Sequence, residues 1–265
     1  MKDEALELAQ REGDPLRRLN ILREYIQAFA LRSLHESRAF ECLSFVGGTA
    51  LRFVYDLPRW SEDLDFSMES AAGYSPRDWL SKLKRDLAFS GFEADITWNE
   101  RKAVHTAGIR VHGILFEAGL SGHKAEKLSI KIEIDSKPPR GAGTETRVIS
   151  RHFMFGLRHH DLPSMMAGKV HAILTRGRDK GRDWYDLLWY CSRRPPVEPK
   201  QSFLEAALQL TGGEIPAYWS ATLRSRLEVL DLSAIRADIQ PFLERREDLM
   251  LLTKEHLLSI LGDRG

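Results

Sequence analysis

Residues 46 to 67 constrain the fold more than any other stretch of the chain, because a glycine pair there closes a short apolar run and an Asp-x-Asp follows about one helix later. Phe45 and Val46 read as the end of a strand. Gly47-Gly48 allow backbone torsions and close approaches that a Cβ would forbid, and Thr49 can cap the helix that follows. Ala50, Leu51, Phe53 and Val54 give that helix a buried face, and Asp56-Leu57-Pro58 ends it. A second strand then carries Asp63, Leu64, Asp65 and Phe66.

Two chemical consequences follow from this order. The glycine turn presents backbone N–H donors at the positive end of a helix dipole, which suits phosphate oxygens. On a strand, residues two apart share a face, so Asp63 and Asp65 point the same way, roughly 6–7 Å apart along the chain, while Leu64 and Phe66 face the core. Two carboxylates so placed can share a pair of Mg²⁺ ions about 3.5–4 Å apart, an arrangement that activates an attacking oxygen and stabilises a leaving pyrophosphate. The competing reading is a glycine-rich turn before a solvated acidic loop. Phe66, directly after the pair, argues for a strand instead.

Gly47-Gly-Thr-Ala-Leu-Arg52, then Arg59, Ser61 and Asp63-Leu-Asp-Phe66, resembles the first motif of the DNA polymerase β-like nucleotidyltransferases, and most closely their AbiEii/AbiGii toxin branch. The resemblance implies an α+β fold: a polymerase β-like nucleotidyltransferase core with a mixed sheet, an N-terminal helix and a C-terminal helical domain. It also implies an NTP substrate cradled by Gly47, Gly48 and Thr49, with Ser61 beside it, and two Mg²⁺ ions on Asp63 and Asp65.

Composition fits such a chain. At 265 residues with 43% hydrophobic content there is enough apolar surface for a core and a substantial appendage. The net charge of +1 argues against a wholesale nucleic-acid coat but leaves room for local basic stretches. Cys42 and Cys191 lie far apart with no metal-ligand spacing around them, so a reducing cytoplasm is the expected compartment. No run resembles a signal peptide or a membrane span.

Three zones are expected. Residues 1–40 form a helical segment, with apolar spacing at Leu19, Leu22, Ile26 and Phe29. Residues 41–160 form the nucleotidyltransferase core, with strand-like runs at Phe92–Trp98, Ala107–Phe116, Leu128–Ile134 and Arg147–Phe155 and a helix around Trp79–Phe89. Residues 161–265 form a C-terminal helical domain, in which the last 70 or so residues carry no readable motif.

Two further stretches carry chemistry. Strict alternation over 130–137 puts Lys131, Glu133, Asp135 and Lys137 on one face of a strand and Ile130, Ile132 and Ile134 on the other. In the resembled family a third metal-binding carboxylate comes from such a strand within a Lys-x-Glu-Ile-Asn pattern. Glu133 is the candidate, with Asp135 standing where Asn is usual, so the choice between the two stays open. Without that context the strand would be an amphipathic edge with a solvated face.

The other stretch is a helix in which Met165, Met166, Val170, Ile173 and Leu174 surround a single cation, Lys169. A lysine in such a setting needs an anionic partner, which the β- and γ-phosphates of an NTP would supply; snorkelling to solvent is the alternative. Asp183 and Asp186 share a face of the next helix. The resemblance makes Lys169 and Asp183 functional and leaves Asp186 to hold the helix junction through Arg182 or Arg178, while a structural salt-bridge network is the plain reading of both aspartates. Arg176, Arg178, Lys180, Arg182, Arg193 and Arg194 form the most basic neighbourhood, either an acceptor track for a polynucleotide or a solvated face. His159, His160 and His171 lack ligand spacing.

The resemblance therefore implies nucleotide transfer to an acceptor hydroxyl, with RNA, including a tRNA end, as acceptor and a cognate antitoxin as partner. Two other readings are a small-molecule nucleotidyltransferase of the antibiotic-modifying kind and a non-catalytic nucleotide-binding module. The intact carboxylates argue against the second.

Overall fold

The computed structural model describes residues 1–213, 215 and 218–262, so the last three residues of the expected C-terminal domain, 263–265, lie outside the described residues. The chain divides into two compact units. The first comprises Met1–Asp56, Trp60–Pro138 and Glu145–His159, and the second Leu57–Arg59, Pro139–Thr144 and His160–Gly265.

The first unit opens with α1 (Lys2–Gln10) and α2 (Pro15–Glu36). Asp14 caps α2, its carboxylate accepting from the Leu16 N–H at 2.8 Å, and Pro15 occupies the first turn, where no N–H is needed. Then come β1 (Leu43–Val46), α3 (Gly47–Tyr55), β2 (Leu64–Met68) and α4 (Pro76–Phe89), followed by β3 (Ala94–Asn99), β4 (Val104–His112), α5 (Ile114–Glu117), β5 (Lys127–Asp135), β6 (Thr144–Ile149) and β7 (Phe155–His160). Among the described residues the strands form one mixed sheet in the order β3-β4-β5-β2-β1-β7-β6. β2 runs parallel to β5 and antiparallel to β1, and β1 runs parallel to β7. This is the expected α+β architecture with a mixed sheet flanked by helices.

Side-chain alternation positions the sheet. On β5, Leu128, Ile130, Ile132 and Ile134 are buried while Lys127, Ser129 and Lys131 are exposed. Each buried isoleucine contributes about 1.5–3 kcal/mol, so a one-residue slip that reversed the faces would cost several times that. The apolar face is covered by α2 and α4, whose Leu22, Ile26, Phe29, Leu83 and Leu87 are fully buried.

Two expected strands differ in detail. The run Ala107–Phe116 ends as a strand at His112, because Gly113 turns left-handed and starts the short helix α5. The run Arg147–Phe155 is two strands, β6 and β7, separated at residues 150–154, where His152 takes a positive φ of 60°. Alternation alone does not register that break, because the turn falls at His152 rather than at a Gly or Pro.

The second unit contains α6 (Leu162–Thr175), α7 (Gly181–Ser192), α8 (Gln201–Thr211), α9 (Trp219–Glu228), α10 (Leu232–Ile239) and α11 (Lys254–Gly262). α6 packs on both α7 and α8, and α7 on α10. Among the described residues no helix is long and apolar enough to cross a membrane.

Candidate active site

The glycine turn and the carboxylates meet in the first unit. β1 runs straight into α3, whose first residue is Gly47 with φ +77°. A Cβ at Gly47 would lie 2.3 Å from Asp65 Oδ2, so glycine is required both by the left-handed backbone and by the carboxylate packed against it. Register explains the approach: Val46 pairs with Asp65 across the β1–β2 ladder.

Thr49 does not cap α3. The N-cap is Val46, without a side-chain bond, and the buried Thr49 hydroxyl donates instead to the carbonyl of Asp63. Thr49 thereby ties the helix to the residue before β2, which fixes Asp63. Ser61 is half-buried, and its carbonyl accepts from Gln27 Nε2 at 3.1 Å.

Asp65 stands opposite Glu133 in the parallel β2–β5 register, and Ser67 opposite Asp135. Asp63, Asp65 and Glu133 are all half-buried. Lys131 Nζ lies 2.6 Å from Glu133 Oε1. Its hydrogen bond to Glu133, together with the negative charges of Glu133, Asp63 and Asp65, holds the ammonium above the usual lysine range. A cation thus stands against Glu133, beside the charges of Asp63 and Asp65. Among the described residues no three His, Cys, Asp or Glu side chains are gathered into a ready-made metal cage. Asp135 differs from Glu133 in its contacts: its carboxylate accepts from the Lys137 backbone N–H at 2.9 Å.

The helix of this site is anchored from behind by a buried charge cluster that the periodicity of the chain does not reveal. Arg52 on α3 is 2% exposed, donates to Glu24 of α2, and lies with its guanidinium 3.8 Å from the Trp60 ring centroid. Arg151 and His152 complete the set around Glu24, at 3.2 and 3.1 Å. Burial opposes the charge on Glu24, but the His152 hydrogen bond and the charges of Arg52 and Arg151 outweigh it and hold the carboxyl down to about 2.

A second cluster lies wholly in the other unit. Arg59 grips Asp186 with two parallel bonds, Nε to Oδ1 and Nη2 to Oδ2, both 2.6 Å. Lys169 Nζ lies 2.8 Å from Asp183 and 2.9 Å from Asp186, and Arg176 also pairs with Asp183. The chain itself thus supplies anionic partners to Lys169, and Arg59 and Lys169 both engage Asp186. Burial works against the Lys169 ammonium, yet Asp183 and Asp186 raise it above the ordinary range. Burial likewise opposes charge on Asp186, and Arg59 and Lys169 overcome it. Arg182 lies over Phe242, 4.5 Å from the ring centroid. His159 and His160 are buried against Tyr55 and Phe203, and His171 lies 3.0 Å from the Thr211 hydroxyl.

Residues 30–255 match the family model described as nucleotidyl transferase AbiEii toxin, type IV toxin–antitoxin system. The chain belongs to the AbiEii family. Two solved structures share the fold. A proposed nucleotidyltransferase from H. pylori is 20% identical, with a TM-score of 0.56 over 91% of this chain and 94% of its own. JHP933 from Helicobacter pylori is 18% identical, with a TM-score of 0.51 over 92% of this chain and 89% of its own. No curated protein matches. Membership in the AbiEii family makes the chain a nucleotidyltransferase of toxin type.

Proposed function

We propose that the chain transfers a nucleotidyl group from an NTP, with Mg²⁺, to an acceptor hydroxyl on RNA, a tRNA end being one such acceptor, and that a cognate antitoxin controls it in the cytoplasm. The observation that carries this reading is the juxtaposition of Gly47, Asp65 and Glu133 across three neighbouring strands, Val46 before Gly47 pairing with Asp65 and Asp65 with Glu133.

Asp63, Asp65 and Glu133 would hold two Mg²⁺ ions, which when bound neutralise charge on the phosphates and sharpen the attacking oxygen. The backbone N–H groups at Gly47, Gly48 and Thr49 bind the triphosphate at the helix start, with Ser61 beside them. Thr49 offers its backbone only, since its hydroxyl is engaged by Asp63. Glu133 takes the proton of the attacking hydroxyl. Lys169 and Asp183 carry the functional roles that family resemblance gives them. Lys169 and the four charges around it, Arg59, Arg176, Asp183 and Asp186, sum to one net positive, and Arg176 is the most exposed of them.

RNA as acceptor is supported by Arg178, Lys180 and Arg182, which follow Arg176 directly. Burial, and after it the neighbouring charges of Arg176 and Arg182, push the Lys180 ammonium down. The test incubates purified protein with each labelled NTP, Mg²⁺ and total cellular RNA across a salt series. Transfer that falls steeply between about 50 and 200 mM salt, with a slope flattened in an Arg178→Ser, Lys180→Ser double variant, is expected for several phosphate contacts. No label on RNA at low salt would overturn the RNA reading.

A further inference from the structure

On the polar face of the sheet lies a hollow of about 320 Å³, lined by Glu62, Asp63, Gly108, Arg110, Ser129 and Lys131 among others. Its place relative to the carboxylates is set by strand order. β2 has β1 on one side and β5, then β4, on the other. The Gly47 turn leaves β1, whereas Lys131 and Ser129 sit on β5 and Gly108 and Arg110 on β4. The glycine cradle and the hollow therefore flank the carboxylates from opposite sides.

One position in the row of residues along the hollow carries no side chain. Arg110 pairs with Ser129, Gly108 with Lys131 and Thr106 with Glu133, all on the polar face. Gly108 lines the hollow without a side chain, and a Cβ there would lie 3.0 Å from Thr97 Oγ1. Glycine in mid-strand weakens the strand, and such a position commonly marks the close approach of another molecule. The volume is at the small end of the range for ligand pockets, enough for one nucleotide. Arg110 is exposed and engages no carboxylate among the described residues.

In-line phosphoryl transfer requires the nucleophile and the leaving group on opposite sides of the reacting phosphorus. With the triphosphate tail on the Gly47 side, the nucleophile enters from the side of β5. We propose that this hollow is the acceptor subsite, receiving the terminal nucleotide of an RNA strand with its ribose hydroxyl toward Asp63 and Glu133 and its phosphate between Arg110 and Lys131. The proposal rests on the nucleotidyl-transfer reading above. The hydroxyl oxygen bonds to the α-phosphorus as the α–β bridging bond breaks, pyrophosphate leaves with that electron pair, and the hydroxyl proton passes to the Glu133 carboxylate.

The test uses Ser129→Tyr, which fills the hollow, and Arg110→Glu, which reverses its charge; both positions are exposed, and either variant suffices if the other does not fold. Calorimetric titration with the dinucleotide ApA, which has one phosphate and a free 3′-hydroxyl, is compared with titration by the α,β-methylene analogues of the four NTPs with Mg²⁺. Expected are a tenfold or greater loss of ApA affinity, analogue affinity within about twofold of wild type, and an RNA KM raised about tenfold. Loss of analogue affinity with ApA binding intact, or no change in either, overturns the subsite. ApA binding that depends on Ser129 and Arg110 in a protein that labels no RNA would sustain the subsite and sink the transfer reading. RNA labelling by wild type and both variants with one KM would sink the subsite alone.

Discussion

Asp65 stands directly across from Glu133 in the parallel pairing of β2 with β5. A sheet pairing in this register carries the two carboxylates to adjacent positions on one face, although 68 residues of chain separate them. The first prediction follows. Asp63→Asn and Asp65→Asn are each expected to abolish nucleotide transfer, since under the proposed two-metal reading each removes a ligand worth several kcal/mol of transition-state stabilisation. Circular dichroism and Tm should match wild type, and a clean Asp65→Asn protein that retained activity would sink the two-metal reading.

Glu133 and Asp135 share a face but differ in partners. Glu133→Gln is expected to lower kcat by about 100-fold or more, and Asp135→Asn to lower it far less, because Asp135 is opposite Ser67 and bonds the Lys137 backbone. Single-turnover rates decide between them, and a larger loss at Asp135 would reverse the assignment of the third ligand.

Gly47→Ala tests the contact between the glycine turn and Asp65. The new methyl would meet Oδ2 at 2.3 Å on a left-handed backbone, so a stability loss of roughly 1–2 kcal/mol from the backbone is expected along with displacement of the carboxylate. Activity should fall well beyond what the lowered Tm explains. A variant with normal activity and lowered Tm would show that Asp65 does not need its present position.

The buried pair of Arg59 and Asp186, 2% and 0% exposed, predicts that Arg59→Ala costs about 3–5 kcal/mol in the second unit, because Asp186 loses its two-bond counter-charge in a buried setting. Lys169→Ala is expected to lower both transfer and stability, and Lys169→Arg to restore them in part, because a guanidinium fork does not fit a site built for a point charge. Denaturant titration and kcat measured on the same preparations separate the two effects. An alanine variant with unchanged kcat, NTP KM and midpoint would remove Lys169 from both roles.

Glu24 carries a pH prediction. Its carboxyl is held at about 2, below the ordinary 4.5. A depressed carboxylate stabilises the fold at pH values above its unfolded pKa and loses that contribution as pH falls through the folded one. The contribution, about 3 kcal/mol, is therefore expected to be complete above about pH 5 and to fade between about 4.5 and 2. The Tm difference between wild type and Glu24→Gln should be large at pH 7 and shrink toward pH 2. A difference independent of pH would mean that the charge of Glu24 contributes nothing.

The sequence by itself determined the elements that carry the chemistry. Gly47-Gly48 before an amphipathic helix, Asp63 and Asp65 two apart before Phe66, and the alternation from Ile130 to Lys137 are local patterns. Helix and strand periods convert such patterns into faces without reference to the rest of the chain. The α+β class and the family were legible for the same reason. Partners were not. Arg59 and Asp186 are 127 positions apart, as are Glu24 and Arg151, and no period links residues so distant. Thr49 could be read as a cap because its position suits one, yet it is the return of the chain at Asp63 that claims its hydroxyl. Lys169 was legible as a buried cation in need of an anion, but only packing of α6 against α7 decided that Asp183 and Asp186 would supply it. The hollow beside Asp63 depends on Gly108 falling opposite Lys131 in a register that follows from the joint burial of two apolar strand faces, a property of the pair of strands and of neither alone.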